Sequence, residues 1–385
     1  PSEGNGEAAP AVGSAEIQAE TAGSEEGKYV ALTFDDGPRA DTTERLLDGL
    51  KERGAVAILD RRSYPIRCEF VTCRSHTEVA QAIADMVTQS AGPYTAASMG
   101  MALAAWEGRD RADLPDYLRK AAHTLSHARP TTVARMEAIT EGCLKAGLEA
   151  LACGQPADEA IFRYALGLLE YRYTRLSHTA VTLVDHFPRQ GTVMTQCFAE
   201  TIVGTMLREA AERGYDIKLI CPETRPYLQG ARLTASVACD QGVDVTVITD
   251  NMPGYVMKEK KVDLFTSAAD AICMDGHIVN KVGTFQIALC AHYHGIPYFV
   301  TGAPDKKHET VEGVVIEQRD GELVMEALGV RTTKPGVKGF YPAFDITPPT
   351  LVSGVATDKG MFSPYDLARY YEGGGESGLY ATANA

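Results

Sequence analysis

From residue 192 to residue 301 the chain alternates short apolar runs with longer amphipathic ones, and that alternation limits the fold more than any other feature of the sequence. The runs over 192–195, 217–221, 243–249, 268–274 and 298–301 read as strands. Helical spacing fills the gaps. The first helix follows Gln196-Cys197 through Ile202, Met206, Ala210 and Ala211, the second covers 228–240, a third comes after Asp250, and NKVGTFQIALCAHYHG opens the fourth. Strands joined by helices of about 10 to 15 residues form right-handed βαβ units, so the expected class is α/β with a Rossmann-like, mostly parallel sheet. Such sheets bind ligands beyond the carboxyl ends of their strands. Cys197, Glu223, Asp250 and Asp270 all fall at or near such ends.

The chain before this region has a different texture. After two short strands it turns helical, with Val79, Ile83, Met86 and Val87 on one face, an alanine-rich helix after a Gly-Pro turn, and further helices over 116–126, 131–153 and 156–178. A mainly helical domain over 57–178 followed by the α/β domain over 179–372 is expected. The end of that second domain, from Gly336, is loop-rich and aromatic, which suits wrapping the sheet edge and completing the site or an oligomer contact. Residues 1–27 hold six glutamates and no Lys or Arg, the composition of a disordered acidic tail, and residues 373–385 read as a frayed end. The chain opens at Pro1, which points to processing, trimming or a fragment.

A net charge of -14 disfavours a nucleic-acid or anionic-membrane partner, because both need a dense positive field. A small phosphorylated ligand remains open, since a helix N-terminus and one or two arginines suffice locally. No apolar run approaches the roughly 18 residues that span a bilayer. The nine cysteines, scattered through apolar segments, look like reduced thiols of a cytoplasmic protein.

Among single residues, Asp270 is flanked by Ala268, Ala269, Ala271 and Ile272. Apolar neighbours disfavour its charged form and raise its pKa, which suits a general acid near neutral pH. Cys197 lies close to a helix N-terminus, which favours a thiolate or a proton shuttle. On composition alone Cys221 and Cys273 are equally good. Asp250 is either a helix N-cap or a support for catalysis, and Arg225 is expected to hold its loop by pairing with a carboxylate. The turn at Ala91-Gly92, a helix start at Asn280-Lys281-Val282-Gly283 and the cation Arg129 together offer N–H donors and positive charge to a phosphate.

Two resemblances rest on longer motifs. KYVALTFDDGPRADTTERLLDGLKERGA, within 28–56, resembles the first motif of the NodB-type polysaccharide deacetylases. That resemblance implies Asp35 as base and Asp36 as metal ligand, with His123 and His127 as the nearest histidine pair, although Ala128 stands where that family has Pro. The second resemblance is much broader. ARPTTV, ETRPYLQGARLTA, VITDNMPG, DGHIVNKVGTFQIALCAHYHGIPYFV and FYPAFDITPPTLVSGVATDKG resemble the S-methyl-5-thioribose-1-phosphate isomerases of methionine salvage, relatives of the regulatory subunits of translation factor eIF2B.

That second resemblance implies a cytoplasmic homodimer that turns a phosphorylated pentose, an aldose 1-phosphate, into the ketose without metal or cofactor. It implies Cys197 and Asp270 as catalytic residues, and Gln229, Asn280, Lys281 and Arg129 as substrate ligands. Gln89, Ser90 and Ala91 occupy the positions where the family has an Arg-Gly-Ala phosphate grip. TQCFAE replaces the usual Cys-Asn-Ala-Gly run, and Ala271 replaces an Arg after Asp270. A non-catalytic eIF2B-like sugar-phosphate or nucleotide binder, or a metal-dependent deacetylase, are the alternatives.

Overall fold

The computed structural model describes residues 54–372 apart from 68, 89–91, 130–132 and 198–199. The expected tails at 1–27 and 373–385, and nearly all of the 28–56 stretch, lie outside the described residues.

An antiparallel hairpin, β1 (Val56–Leu59) and β2 (Phe70–Cys73), leads into α1 (His76–Ala84). Ser75 caps that helix, its Oγ accepting from the Glu78 N–H at 3.2 Å. Next comes α2 (Gly92–Glu107), which is apolar on nearly every side and packs among α1, α3 (Leu114–Ser126), α4 (Val133–Ala152) and α5 (Ala157–Val184). A helix without a polar face has to be central. Small residues let its neighbours close in, and a Cβ at Gly100 would lie 2.9 Å from the Leu125 side chain.

The domain boundary expected after residue 178 falls inside α5. Ala157, Ile161 and Ala165 of this helix belong to the helical core, whereas Ala180, Leu183 and Val184 pack beneath the sheet. No Pro or Gly interrupts residues 168–184, so the helix runs on and both parts of the molecule share it.

The α/β part begins with β3 (Gln190–Thr195), α6 (Glu200–Glu212), β4 (Asp216–Pro222), α7 (Ala235–Asp240) and β5 (Asp244–Ile248). It continues with α8 (Pro253–Glu259), β6 (Leu264–Ala268), β7 (Ala271–Ile272), β8 (Ile278–Lys281), α9 (Thr284–Tyr293) and β9 (Tyr298–Thr301). Short pieces follow: β10 (Gln318–Arg319), the hairpin β11 (Glu326–Ala327) and β12 (Val330–Arg331), β13 (Tyr341–Pro342) and β14 (Phe344–Thr347). The last strands are β15 (Gly354–Thr357) and β16 (Gly360–Phe362).

The main sheet has the order β16-β15-β9-β6-β3-β4-β5 and is parallel except for β16. Its central strands are buried on both faces, whereas the edge strand β5 is largely exposed. Val193, Leu219 and Cys221 join the core under α5, α6 and α7, while Met194 and Ile220 join the one under α8 and α9. The first strand, β3, lies in the middle. The chain lays β4 and β5 to one side of it and then returns to lay β6, β9 and β15 on the other. Loops leaving β3 and β6 therefore diverge, and a crevice opens at their carboxyl ends.

One expectation changes here. Asn280 and Lys281 do not start a helix but end β8, the middle strand of a small antiparallel sheet ordered β14-β8-β7. Ile278 and Val279 have strand partners on both sides, and Gly283, at φ 106°, turns the chain before α9 begins at Thr284.

Candidate active site

Two residues after β3 open the crevice. Gln196 is buried; its Nε2 donates to the Val282 carbonyl at 3.2 Å, while its Oε1 has no partner. Cys197 is half-buried and adopts φ 60°, a left-handed conformation that costs a non-glycine residue about 1–2 kcal/mol. Thr234 Oγ1 holds that turn by donating to the Cys197 carbonyl at 2.6 Å. Thr224 and Leu228, just beyond β4, are left-handed too, at φ 62° and 57°. Such strain persists only where the surroundings enforce it, and it marks functional sites more than cores. Next to them Gly230 starts a π-helical turn (Gly230–Thr234), pressed so close to β4 that a Cβ would lie 1.9 Å from the Pro222 carbonyl oxygen. Gln229 stands half-buried at the entry to that turn.

Asp270 follows β6, and its N–H donates to the Val279 carbonyl at 2.9 Å, tying the strand end to β8. The residue is exposed to solvent, yet the protein packed around its carboxyl raises the pKa to about 6. Both hold for a carboxyl in a recess: protein fills most of the space around it, and water reaches it from one side. The nearby cations Lys281 and Arg319 pull the pKa down, and the Glu317 carboxylate pushes it further up.

Lys281 joins the two strand ends. It is 6% exposed, and burial lowers its pKa; the charge of Cys197 opposes that, as do those of Asp270 and Glu317, while Arg319 adds to it. One buried ammonium is thus within electrostatic reach of both the thiol after β3 and the carboxyl after β6. Asn280, also buried, donates from Nδ2 to Thr284 Oγ1 at 3.0 Å, and Thr284 Oγ1 donates to the Lys281 carbonyl at 2.7 Å. These bonds fix the turn into α9. Asp345 receives the Gly283 N–H at 2.6 Å and the Phe285 N–H at 3.2 Å, and burial lifts its carboxyl to about 6 against those bonds.

Beside this recess stands a wall drawn partly from the aromatic stretch after Gly336; its residues Glu317, Arg319, Tyr341 and Phe344 are not among the sequence candidates. Strand register sets Arg319 opposite Tyr341 and Phe344 opposite Lys281, so 317–319, 341–344 and 280–281 form one continuous surface. Arg319 forks onto Glu317 at 3.0 and 3.4 Å, and its guanidinium lies 5.6 Å from the Tyr227 ring, 5.8 Å from Phe344 and 6.0 Å from Tyr341. Lys281 Nζ sits 4.7 Å from the Phe344 ring. In the sequence the later part of this wall shows as the aromatic cluster FYPAF, which opens one of the isomerase-like motifs, whereas Glu317 and Arg319 lie in an aperiodic stretch.

Other candidates fall elsewhere. Cys221 and Cys273 are packed core thiols, pushed up by burial to about 12 and about 11. Asp250 is not a helix cap, since Met252 occupies the N-cap of α8. It instead accepts the backbone N–H groups of Thr224 at 2.8 Å and Arg225 at 2.7 Å and clamps the loop after β4. The Arg225 side chain reaches the Val324 and Glu326 carbonyls rather than a carboxylate, because that loop packs on backbone. Burial and then the Asp250 charge raise the Glu223 pKa. Arg129 is half-buried just past α3, and Gln89, Ser90 and Ala91 lie outside the described residues.

Asp35 and Asp36 lie outside them as well. His123 and His127 stack with ring centroids 4.0 Å apart, and among the described residues no group of three or more His, Cys, Asp or Glu side chains could hold a metal. The deacetylase resemblance therefore gains no support. What the recess offers is a carboxyl able to carry a proton near neutrality, a thiol, and buried cations. That set suits an anionic ligand that needs a proton delivered.

Comparison with known proteins agrees in extent. The model of the "Initiation factor 2 subunit family" matches residues 89–364. The methylthioribose-1-phosphate isomerase of Heliobacterium modesticaldum is 35% identical over 329 residues, covering 80% of this chain and 93% of that protein. The crystal structure of 5-methylthioribose 1-phosphate isomerase from Pyrococcus horikoshii superimposes with a TM-score of 0.76 at 29% identity, covering 83% of this chain and 93% of the other. That of translation initiation factor eIF-2B subunit delta from A. fulgidus gives a TM-score of 0.75 at 33% identity, with coverage of 80% and 93%.

Proposed function

The chain belongs to the initiation factor 2 subunit family, and from that premise we propose that it is an aldose-ketose isomerase converting S-methyl-5-thioribose 1-phosphate, or a close 5-substituted ribose 1-phosphate, to the ribulose 1-phosphate. The observation that carries this reading is that Cys197 and Asp270 follow the adjacent parallel strands β3 and β6, and that the Asp270 N–H, 2.9 Å from the Val279 carbonyl, ties it to β8, the strand that ends on buried Lys281. A sugar phosphorylated at C1 cannot open its ring freely. Asp270, holding a proton up to about pH 6, gives it to the ring oxygen as the bond from C1 to that oxygen breaks. Cys197 as thiolate takes the C2 hydrogen as a proton, leaving an enol between C1 and C2, and returns it to C1. The C2 hydroxyl proton passes to the Asp270 carboxylate as the ketone forms, which restores both groups.

Lys281 and Asn280, with Gln229 and Arg129, bind the phosphate and sugar hydroxyls in this reading. The 89–91 run completes that grip by resemblance. A place in methionine salvage, a cytoplasmic location and a homodimer belong to the same proposal. The exposed stripe Phe285, Leu289 and Tyr293 on α9, beside Met252 and Tyr255, supplies an apolar face for a second copy. Among the described residues no helix is long and apolar enough to cross a membrane.

The test is ketose formation from S-methyl-5-thioribose 1-phosphate by the full chain. Turnover that survives a chelator is expected. Saturable binding without any ketose would favour the second reading, a non-catalytic eIF2B-like sugar-phosphate or nucleotide binder, since the A. fulgidus eIF-2B subunit matches the fold about as well as the isomerase does.

A further inference from the structure

The π-helical turn Gly230–Thr234 makes bonds in two directions. Outward, Arg232 Nη2 lies 2.9, 3.2 and 2.8 Å from the backbone carbonyl oxygens of Arg61, Arg62 and Tyr64. Its two hydrogens serve three acceptors, and the positive charge of the guanidinium strengthens each bond. Those carbonyls belong to the turn after β1, which is anchored in the helical part. The Arg61 N–H donates to the Val87 carbonyl at 2.9 Å, and Val56 and Ile58 of β1 lie in the core around α2. Inward, the fully buried Thr234 donates to the Cys197 carbonyl at 2.6 Å. One short turn therefore carries both an arginine that grips the helical part and a hydroxyl that holds the left-handed turn of the thiol.

Such turns are rare, and they occur mostly as single bulges at functional sites. Closing this one to an α-helix would rotate the residues before it against those after it by about 100°. Gln229 at its entry and Thr234 at its end would then no longer both keep their places. Resting on the isomerase reading, we propose that Arg232 is a positioning residue for that reaction. Anchored on the three carbonyls, it keeps the turn π-helical and so holds Thr234, and through Thr234 the Cys197 backbone, where the thiol meets the sugar. Arg232 itself touches no substrate and moves no proton. Its effect on rate is that of placement: a shift of about 1 Å, made far from the reacting atoms, can cost about 100-fold.

Two measurements on the full chain test the proposal. Under pulse alkylation with iodoacetamide, read peptide by peptide, Cys197 of Arg232→Met should react about 3- to 10-fold faster, because its turn opens more often. The buried Cys143 and Cys221 should stay as slow as in the parent. In a double-mutant cycle on kcat with S-methyl-5-thioribose 1-phosphate, Arg232→Met and Thr234→Val should each lose about 10-fold, and the combined variant about 10-fold rather than about 100-fold, since both release the same turn. Arg232→Lys keeps N–H donors on a shorter stem; it should lose about 3-fold, and it carries the same cycle if the Met variant does not fold. An unchanged Cys197 labelling rate, faster labelling of all three thiols together, or losses that multiply overturns the proposal. Labelling needs no turnover, so the two readings fail separately. If the parent makes no ketose, the isomerase reading falls and the role in that reaction with it, whereas full turnover in Arg232→Met removes only the inference.

Discussion

The helical bundle and the crevice between β3 and β6 are built on opposite terms. Around α2 the buried side chains are mostly apolar, with a few small hydroxyls such as Ser98 and Thr140 bonded to their own helix backbone, and Met99, Met101 and Leu103 are each at most 1% exposed. In the crevice a lysine and an asparagine are buried, Gln196 and Tyr341 keep unpartnered polar atoms, Asp270 holds a raised pKa, and Cys197 sits in a left-handed turn. The bundle breaks local rules at its edge, at left-handed Met86 and the unpartnered Thr88 hydroxyl, whereas the crevice breaks several at once and relies on the rest of the sheet to tolerate it. Local rules broken together, without any gain in stability, are the signature of a site.

If that contrast is right, changes in the crevice move chemistry and changes in the bundle move stability. Cys197→Gly should give the largest effect: turnover falls about 1000-fold, while relief of the left-handed conformation raises stability by about 1 kcal/mol. Paired measurements of kcat and urea midpoint read both, and a variant that is less stable would break the comparison. Asp270→Asn is expected to cost about 100- to 1000-fold in kcat. A carboxyl whose folded pKa lies above its ordinary value contributes stability below that ordinary value and loses it as pH rises through about 6, so at pH 8 the Asn variant should melt no lower than the parent.

In the bundle, Met101→Ala should cost about 2–5 kcal/mol of stability and leave kcat per folded molecule unchanged. A change in kcat there would mean that the bundle shapes the site directly. The smallest effect is a shift in pH profile. A general acid with a pKa of about 6 is protonated below that pH, so kcat/KM should decline on the alkaline side of about 6. Lys281 holds that pKa down, so Lys281→Met should move the limb to higher pH; a shift to lower pH would contradict the coupling.

The same contrast explains what the sequence could and could not reveal. Strands such as β3 and β4 show up as continuous apolar runs, so most of the sheet was legible, and so was the strand end at Cys197; the run expected over 268–274 is instead β6 over Leu264–Ala268, which ends before Asp270. The end of α5 was missed because nothing in 168–184 signals a stop or a change of partner. Asn280 and Lys281 were placed on a helix because Ile278-Val279 is too short a run to tell a strand from the approach to α9. The left-handed turn at Cys197 depends on a bond from Thr234, 37 residues away, and the Arg319-Tyr341 pairing joins two-residue strands across an aperiodic loop. Contacts of that kind leave no periodicity to read. Motif resemblance assigned roles to Lys281 and Gln229, and it covered Tyr341 within FYPAFDITPPTLVSGVATDKG without assigning that residue one.

The most direct test asks whether the thiol and the carboxyl act on one bound sugar. A double-mutant cycle on kcat, with Cys197→Ser, Asp270→Asn and the two combined, measures it against S-methyl-5-thioribose 1-phosphate. Groups working as a unit give non-additive losses, so the combined variant should be no more than a few-fold slower than the slower single one. Losses that multiply, or single variants that turn over at the parent rate, would contradict a shared site at the ends of β3 and β6.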